Sequence, residues 1–490
     1  MRAMPSPSAS AASPSGKSSV NFWVLLAVLV AAEFATALEG NMIYVALAKL
    51  YGIYGDPTHV SWLITAYSLT SAASAALCSR LGDLYGRRRM LILMLVVAAV
   101  GSAISAVASD LNVIIFGRAL QGASLAILPL AFGILRENAR DNRELNMGVG
   151  VLGGTYSLST GTGIILGGVI VDTAHWQHIF TVSAGAAVLA LILALRFIPK
   201  GKVKPPTERL DLPGVLFVFP ISFLLLGLTF GKTLGWDSPV VWGLLVGGVA
   251  GLAAWTAYEL RQANPLIDVR LLKNPTIAIV NATIFFTAMA PMIYPQVVMP
   301  LLQQPLWTGI GLGVTATVAG IIKLPTNLTG GVAGFVSGLM ARRYSMRPAI
   351  IISTIANLVA FVAIIFVHDS LVFIVAMCVL LIAPAGTVLF ACAPGLIIEA
   401  APAERTSEAT GLTSVLRALA MAIGSQLIAF TLATSSVVNS EGAKFPDERA
   451  YMTTFVMVAV CCLASLICAL MIPRRRVPVA SRQLAPAPAE

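Results

Sequence analysis

The sequence predicts an all-α polytopic membrane protein, and three observations carry that prediction. Of its 490 residues 57% are hydrophobic and only 11% are charged, where soluble domains carry about 25% charged residues. The mean hydropathy is +0.86. Apolar stretches of about 20 residues, the length a helix needs to cross a bilayer, recur from end to end. Within lipid every backbone polar group must find its partner inside the segment, so the spanning elements are helices.

Fourteen such stretches lie near residues 22–46, 60–81, 90–108, 111–134, 147–171, 179–198, 212–231, 239–259, 275–301, 310–340, 348–367, 371–397, 408–433 and 451–472. Residues 1–19, "MRAMPSPSASAASPSGKSS", are rich in Ser, Pro and Ala and predict a disordered tail. They do not read as a cleaved leader: the apolar stretch after them exceeds the about 7–15 residues of a signal core, and it carries acids.

Lys and Arg placement predicts orientation. If the N-terminus is cytoplasmic, 25 of the 32 basic residues fall in cytoplasmic segments, and Lys49, Lys232, Lys444 and Arg449 fall outside. Arg118, Lys323 and Arg417 lie within spans. The asymmetry predicts both termini in the cytoplasm, in a cell (inner or plasma) membrane, and an even number of spans. It also explains the formal charge of +10 without nucleic acid. The connections "RFIPKGKVKPPTERLDLP" and "ELRQANPLIDVRLLKNP" divide the spans six, two and six. The expected organisation is a tail (1–19), a six-helix bundle (20–198), a linker (199–211), an inserted helix pair (212–262), a second bundle (263–473) and a tail (474–490).

Cys78, Cys378, Cys392, Cys461, Cys462 and Cys468 all lie in apolar segments without metal-ligand spacing and read as packing residues. The four histidines do not cluster. "GLTFGKT" (Gly227–Thr233) is one residue short of a phosphate-binding loop, and "NLT" at Asn327 is a chance glycosylation match inside a span. The chain predicts no enzyme, no metal and no cofactor.

Several motifs have a shared resemblance. After the second stretch, "SRLGDLYGRRRML" resembles the G-x-L-x-D-R-x-G-R-R-R signature of the major facilitator superfamily, with Asp83, Gly86, Arg87, Arg88 and Arg89 in place, Ser79 for the first Gly and Leu84 for the basic residue after Asp. The resemblance implies that Asp83, Gly86 and Arg87 latch one conformation on the cytoplasmic side. "FGRALQGASLAILPL" matches the Arg-x-x-Gln-Gly signature, which ties Arg118 to proton coupling; a structural ion pair is the alternative. "GGTYSLSTGTGIILGGVI" resembles the antiporter signature G-P-x-x-G-G through Gly163, Gly167 and Gly168, which would pack helices closely, with Ile164 in place of Pro.

"VSWLITAYSLTSAA", "HWQHIF", "LDLPGVLFVFPISFLLLGLTFG" and "NPLIDVRLLKNP" are similar to segments of the fourteen-span drug/proton antiporter branch. "GLMARRYSMRP" reads as a decayed second copy of the first signature, with Arg342 for Asp and Ser345 for Gly, supporting two pseudo-equivalent bundles. The resemblance implies a major facilitator fold of fourteen spans with substrate between the bundles.

Charged residues inside spans mark function by default. Glu33, Glu39, Arg118 and Lys323 are the candidates for proton coupling and substrate binding. At 1.5 Å rise per residue, Glu39 and Arg118 lie roughly 10 Å from the outer end of their spans and Glu33 and Lys323 roughly 20 Å. Arg118 is therefore the expected partner of Glu39, and Lys323 the expected counter-ion of Glu33 or a site for an anionic substrate. At about 100° per residue, Glu33, Ala37, Gly40 and Tyr44 share a face with Asn41 on its edge, opposite Phe34, Leu38, Met42 and Val45. "LEGNMIYVAL" resembles the L-D-x-T-x-x-x-V-A-L segment of the fourteen-span branch, and "EFAT" with "NMI" resembles span one of twelve-helix broad-range multidrug/proton antiporters. Burial favours the neutral form of a carboxylic acid, and a nearby Arg opposes it, so binding that alters the pairing would be coupled to protonation. Asn41, Tyr44, Tyr67, Asn281, Tyr294, Gln296 and Arg417 are possible cavity-lining residues.

The resulting expectation is a monomeric, proton-coupled secondary transporter, an antiporter exporting hydrophobic or amphipathic small molecules by alternating access and drawing on a proton gradient. Its partners would be substrate, protons and the lipid bilayer. Proton-coupled uptake or exchange of an organic anion, using Lys323 and Arg118, is the alternative. A non-transporting membrane sensor is the second.

Overall fold

The computed structural model describes residues 21–200, 211, 213–262, 265–341, 346–402, 405–440 and 444–473. Each of the fourteen apolar stretches coincides with a long helix: α1 (Phe22–Tyr54), α2 (Trp62–Tyr85), α3 (Arg87–Val107), α4 (Leu111–Asn138), α5 (Asn142–Thr173), α6 (His178–Phe197), α7 (Pro213–Thr233), α8 (Pro239–Glu259), α9 (Pro275–Gln303), α10 (Ala316–Ala341), α11 (Met346–Phe366), α12 (Leu371–Ala400), α13 (Thr406–Leu432) and α14 (Glu448–Met471). Among the described residues, twelve helices are long and apolar enough to cross a membrane. The remaining long helices are α2, diluted by Ser and Thr, and α10, which carries Lys323, Pro325 and Asn327. A short hairpin, β1 (Ser436–Val438) with β2 (Lys444–Pro446), connects α13 to α14.

Helix starts follow ordinary capping chemistry. Asn21, Asp110, Asp141, Asn274 and Asp447 each accept a backbone N–H of the first turn of α1, α4, α5, α9 and α14. Helix α1 runs a further eight residues past the predicted 46, because Leu47, Leu50 and Tyr51 continue its buried face, and it stops at Gly55 in a left-handed conformation (φ 73°). Helix α9 is interrupted at Ala290–Tyr294, where Pro291 and Pro295 remove backbone donors. Helix α10 starts later than predicted, at Ala316, after Gly309 and Gly313 turn the chain with positive φ.

Helices α1–α6 pack into one bundle and α9–α14 into a second. The bundles meet along α2 with α13 and α5 with α10. In each half the second helix thus pairs with the fifth of the other, as two pseudo-equivalent bundles require. The inserted α7–α8 hairpin lies against the α2–α13 seam. Its Thr229 hydroxyl is 3.1 Å from Trp62 Nε1 and 3.3 Å from Gln426 Oε1, so one side chain touches both bundles.

We call the end at which α1 begins the near side. On the far side the bundles are tied by polar contacts. Gln296 Nε2 donates to Ser61 Oγ (3.1 Å) and to the Ser425 carbonyl (3.0 Å), and Gln426 Nε2 donates to Thr65 Oγ1 (2.9 Å). Asp172, in the last turn of α5, accepts the Ala316 and Thr317 N–H groups at 3.0 and 2.7 Å, so α10 receives its N-cap from the opposite bundle. Asp172→Ala therefore weakens far-side closure specifically, by about 1 kcal/mol. A cysteine placed at fully buried Ala319 should then react on the order of five-fold faster with a membrane-impermeant thiol reagent; an unchanged rate contradicts the capping role.

On the near side Gly86 turns the chain between α2 and α3 with φ 99°. Arg87 crosses Gly133 of α4 to reach Glu137 (3.3 Å), and Arg80 of α2 faces Glu408 of α13 (3.9 Å). The side chain of Asp83, and Arg342 and Ser345 of the second copy, lie outside the described residues.

Candidate functional site

The residues singled out in α1 and α4 converge in a buried polar network at the centre of the first bundle. Arg118 is 1% exposed. Its Nε donates to the Leu63 carbonyl of α2 (3.0 Å), its Nη1 to the Glu39 backbone carbonyl (3.4 Å) and to Gln121 Oε1 (2.7 Å), and its guanidinium lies 4.4 Å above the Tyr67 ring. The Arg-x-x-Gln spacing puts Gln121 one turn on, along the same face of α4. Gly122 then lets α4 touch α2: a Cβ there would lie 2.2 Å from the Tyr67 carbonyl and 2.1 Å from Thr70 Oγ1. Immediately beyond, α4 tightens into a 3₁₀ turn over Ala123–Ala126.

The Glu39 carboxyl does not face Arg118 directly. Oε1 lies 2.8 Å from Ser124 Oγ and Oε2 lies 3.3 Å from Ser102 Oγ. Among the described residues no basic side chain comes within ion-pair distance of Glu39 or of Glu33. The expected Glu39–Arg118 ion pair is thus corrected to a relay. Arg118 has donors only, so Gln121 must turn Oε1 to it and Nε2 to Ser102 Oγ (2.7 Å). Ser102 therefore accepts from Gln121 and has its own proton free for Glu39 Oε2. Ser124 has one proton but two oxygens in reach, Glu39 Oε1 and the Gln121 carbonyl (2.7 Å).

Glu33 is 3% exposed, and no hydrogen bond to its carboxyl is present among the described residues. Tyr156 of α5 lies in electrostatic range of both Glu33 and Arg417. The helical wheel is corrected in one respect. The partly open positions along the middle of α1 are Ala27, Val30, Ala31, Phe34, Gly40 and Asn41, with Glu33 beside them. Phe34 therefore belongs to the open side, because α5, α6 and α9 enclose the rest of the helix. Asn41 Nδ2 donates to the Ala37 carbonyl (2.7 Å) and lies 3.5 Å from Thr160 Oγ1, and Tyr44 is buried.

Lys323 lies in the second bundle, away from Glu33. Its Nζ donates to Tyr294 Oη (2.8 Å) and sits 4.5 Å from that ring's centre, and no carboxylate among the described residues pairs with it. The expectation of a Glu33 counter-ion is corrected accordingly. Lys323, Tyr294 and Thr326 are the polar members of an otherwise apolar lining around a small cavity of about 10 Å³, walled by Val298, Ile322 and Cys378 among others. Arg417 stacks on Phe390 (5.6 Å). Gln296 and Asn281 are buried, Gln296 in the far-side seal and Asn281 inside the second bundle, where its Oδ1 finds no partner among the described residues. Gly163 and Gly167 abut the backbone of α1 at Leu38 and Met42, and Gly168 that of α10 at Ala316. Ser102 and Ser124 escaped sequence reading. Ser124, three residues past Gln121, carried a spacing signal; Ser102 carried none.

A profile of the Major Facilitator Superfamily matches residues 29–425. The chain belongs to this superfamily. Among superfamily members it is 28% identical over 331 residues to the multidrug transporter protein MdtP of Bacillus subtilis, covering 67% of this chain and 60% of that protein. It is 27% identical over 420 residues to the multidrug resistance protein Stp of Mycobacterium tuberculosis, covering 82% and 73%. The match thus spans about three fifths of the length of the first of these relatives. The nucleoside transporter NupG superposes with a TM-score of 0.65 at 10% identity, over 92% of this chain and 100% of that one, a likeness of fold. The chain is a multi-pass membrane protein of this superfamily.

Proposed function

We propose that this protein is a proton-coupled antiporter that exports hydrophobic or amphipathic small molecules. In this reading it has fourteen crossings, both termini in the cytoplasm of a cell membrane, a monomeric state, and the proton gradient as its energy source. The observation that carries the proposal is the proton count around Glu39. Every hydrogen bond is satisfied when Ser124 donates to the Gln121 carbonyl, Ser102 donates to Glu39 Oε2, and Glu39 itself donates a proton to Ser124. Deprotonation leaves Ser124 one proton for two acceptors, an unmade bond in a buried site that costs about 1–3 kcal/mol. No basic side chain among the described residues pairs with Glu39, so none displaces the proton from its carboxyl, and Arg118, linked through Gln121, stabilises the anion left when the proton departs.

The similarity to multidrug transporters of B. subtilis and M. tuberculosis supports the substrate class. In everted vesicles carrying an imposed pH gradient, lipophilic cations such as ethidium should dissipate the gradient with the native chain and fail to do so with Glu39→Gln. Equal dissipation by both would sink the coupling role. A second reading, exchange of an organic anion, is favoured by the Lys323 amine, which meets the Tyr294 hydroxyl and no carboxylate among the described residues, at the edge of an apolar cavity. It predicts that Lys323→Ala abolishes transport of anionic amphipaths and leaves cationic ones unaffected.

A further inference from the structure

At the foot of the inserted hairpin a second pair of acids lies out of water, remote from the α1–α4 network. Glu259, the last residue of α8, is 0% exposed, and Asp211, just before α7, is 8% exposed. Both flank Gly214: a Cβ on that glycine would lie 2.6 Å from Glu259 Oε1 and 2.9 Å from Asp211 Oδ2. Asp211 is held from both sides, its Oδ1 by Tyr258 Oη (2.9 Å) and its Oδ2 by the Leu266 N–H (3.3 Å). Neither oxygen of Glu259 has a hydrogen-bond partner of good geometry; the Ile267 N–H is the backbone donor in its reach. Trp255 Nε1 bonds the Gly214 carbonyl (3.0 Å) and closes the site against solvent.

Two carboxylates that flank one glycine out of water do not both ionise. Arg80 is the basic group in electrostatic range of Glu259, but it lies at 3.9 Å from Glu408. Arg270, Asp268 and Arg405 complete the charged surroundings on the exit loop and at the start of α13. Arg270 donates to the Glu259 backbone carbonyl (3.5 Å) and faces Asp268 (3.7 Å), while Arg405 binds Asp268 and Glu408 (2.9 Å to the latter). Among the described residues no basic side chain is thus spent on neutralising the Asp211–Glu259 pair, and its unmet need is one proton.

We propose that Asp211 and Glu259 form a carboxyl–carboxylate pair that binds a single proton and thereby fixes the exit loop, residues 265–268, in the position from which Asp268 holds Arg405. The chain then has a proton site outside the translocation path, wired through Arg405, Glu408 and Arg80 to the near-side contact between α13 and α2. The sign is definite. One proton on the pair relieves the repulsion of two buried carboxylates, so the stabilisation is present at low pH and is lost as pH rises.

The test is thermal unfolding of the purified full chain, read with a thiol-reactive dye on its buried cysteines, between about pH 5.5 and 8.5. The native midpoint should fall with pH. Glu259→Gln and Asp211→Asn, which mimic the protonated pair, should each flatten that dependence by several degrees across the range. Tyr258→Phe, which leaves both acids, should keep it. If both amide variants retain the native slope, the proposal is overturned. It is equally overturned if sodium or potassium, and not choline, restores the native midpoint at high pH, since the pair would then bind a metal cation. An amide variant that does not fold leaves the other to decide, because either alone removes the shared proton.

Discussion

Arg118→Leu should abolish transport and destabilise the fold together. Three acceptors lose their donor at once: the Leu63 and Glu39 carbonyls and Gln121 Oε1. The two carbonyls keep their intrahelical bonds, but Gln121 Oε1 is left buried and unpaired at about 1–3 kcal/mol and the guanidinium's packing on Tyr67 is lost, so a loss of a few kcal/mol is expected, a large part of a typical stability margin. Arg118→Lys should rescue little. An ammonium is a point charge without the planar fork that reaches α1, α2 and α4 together, and it cannot cover the Tyr67 ring as the guanidinium does. Thermal midpoints and transport measured on the same preparations check this. A lysine variant near native in both would show that charge alone is what matters at this position.

Glu33→Gln should do the opposite to stability. The Glu33 carboxyl is buried and has no charged or hydrogen-bonded partner among the described residues, so replacing it with an uncharged isostere removes a desolvation cost instead of breaking a contact. Stability should be unchanged or raised, by up to about 1–3 kcal/mol, while export of cationic substrates falls at least ten-fold and export of neutral ones persists. Gain of stability with loss of activity is the signature of a group kept for function. If Glu33→Gln instead unfolds the protein, Glu33 is a structural partner of some group and the substrate role fails.

These two residues also show what the sequence could reveal. The apolar stretches located the helices, because lipid admits few alternatives. The costly charges pointed to the candidate site, because an arginine in mid-span is expensive and must find buried partners. Depth along a helix placed Glu39 near Arg118 correctly, but depth does not say which atoms meet. Glu39 bonds to Ser102 and Ser124, residues too common in membrane helices to stand out, and Arg118 takes the Glu39 backbone instead of its carboxyl. The wheel failed at Phe34 because α1 is enclosed on nearly all sides, so its amphipathic contrast is weak. Lys323 looked like a counter-ion by depth alone, and only tertiary placement in the second bundle gives it to Tyr294. Asp172 capping α10 across the bundle interface could not be read locally, since a cap is normally sought within its own helix.

The central claim is that Glu39 carries a proton which substrate releases. The most direct measurement is a proton count on the purified protein in weakly buffered detergent solution, with a pH indicator, on addition of tetraphenylphosphonium near neutral pH. The account predicts release of about one proton per native molecule and none from Glu39→Gln, with binding retained in both. Equal release from the two proteins, with substrate bound, would contradict it.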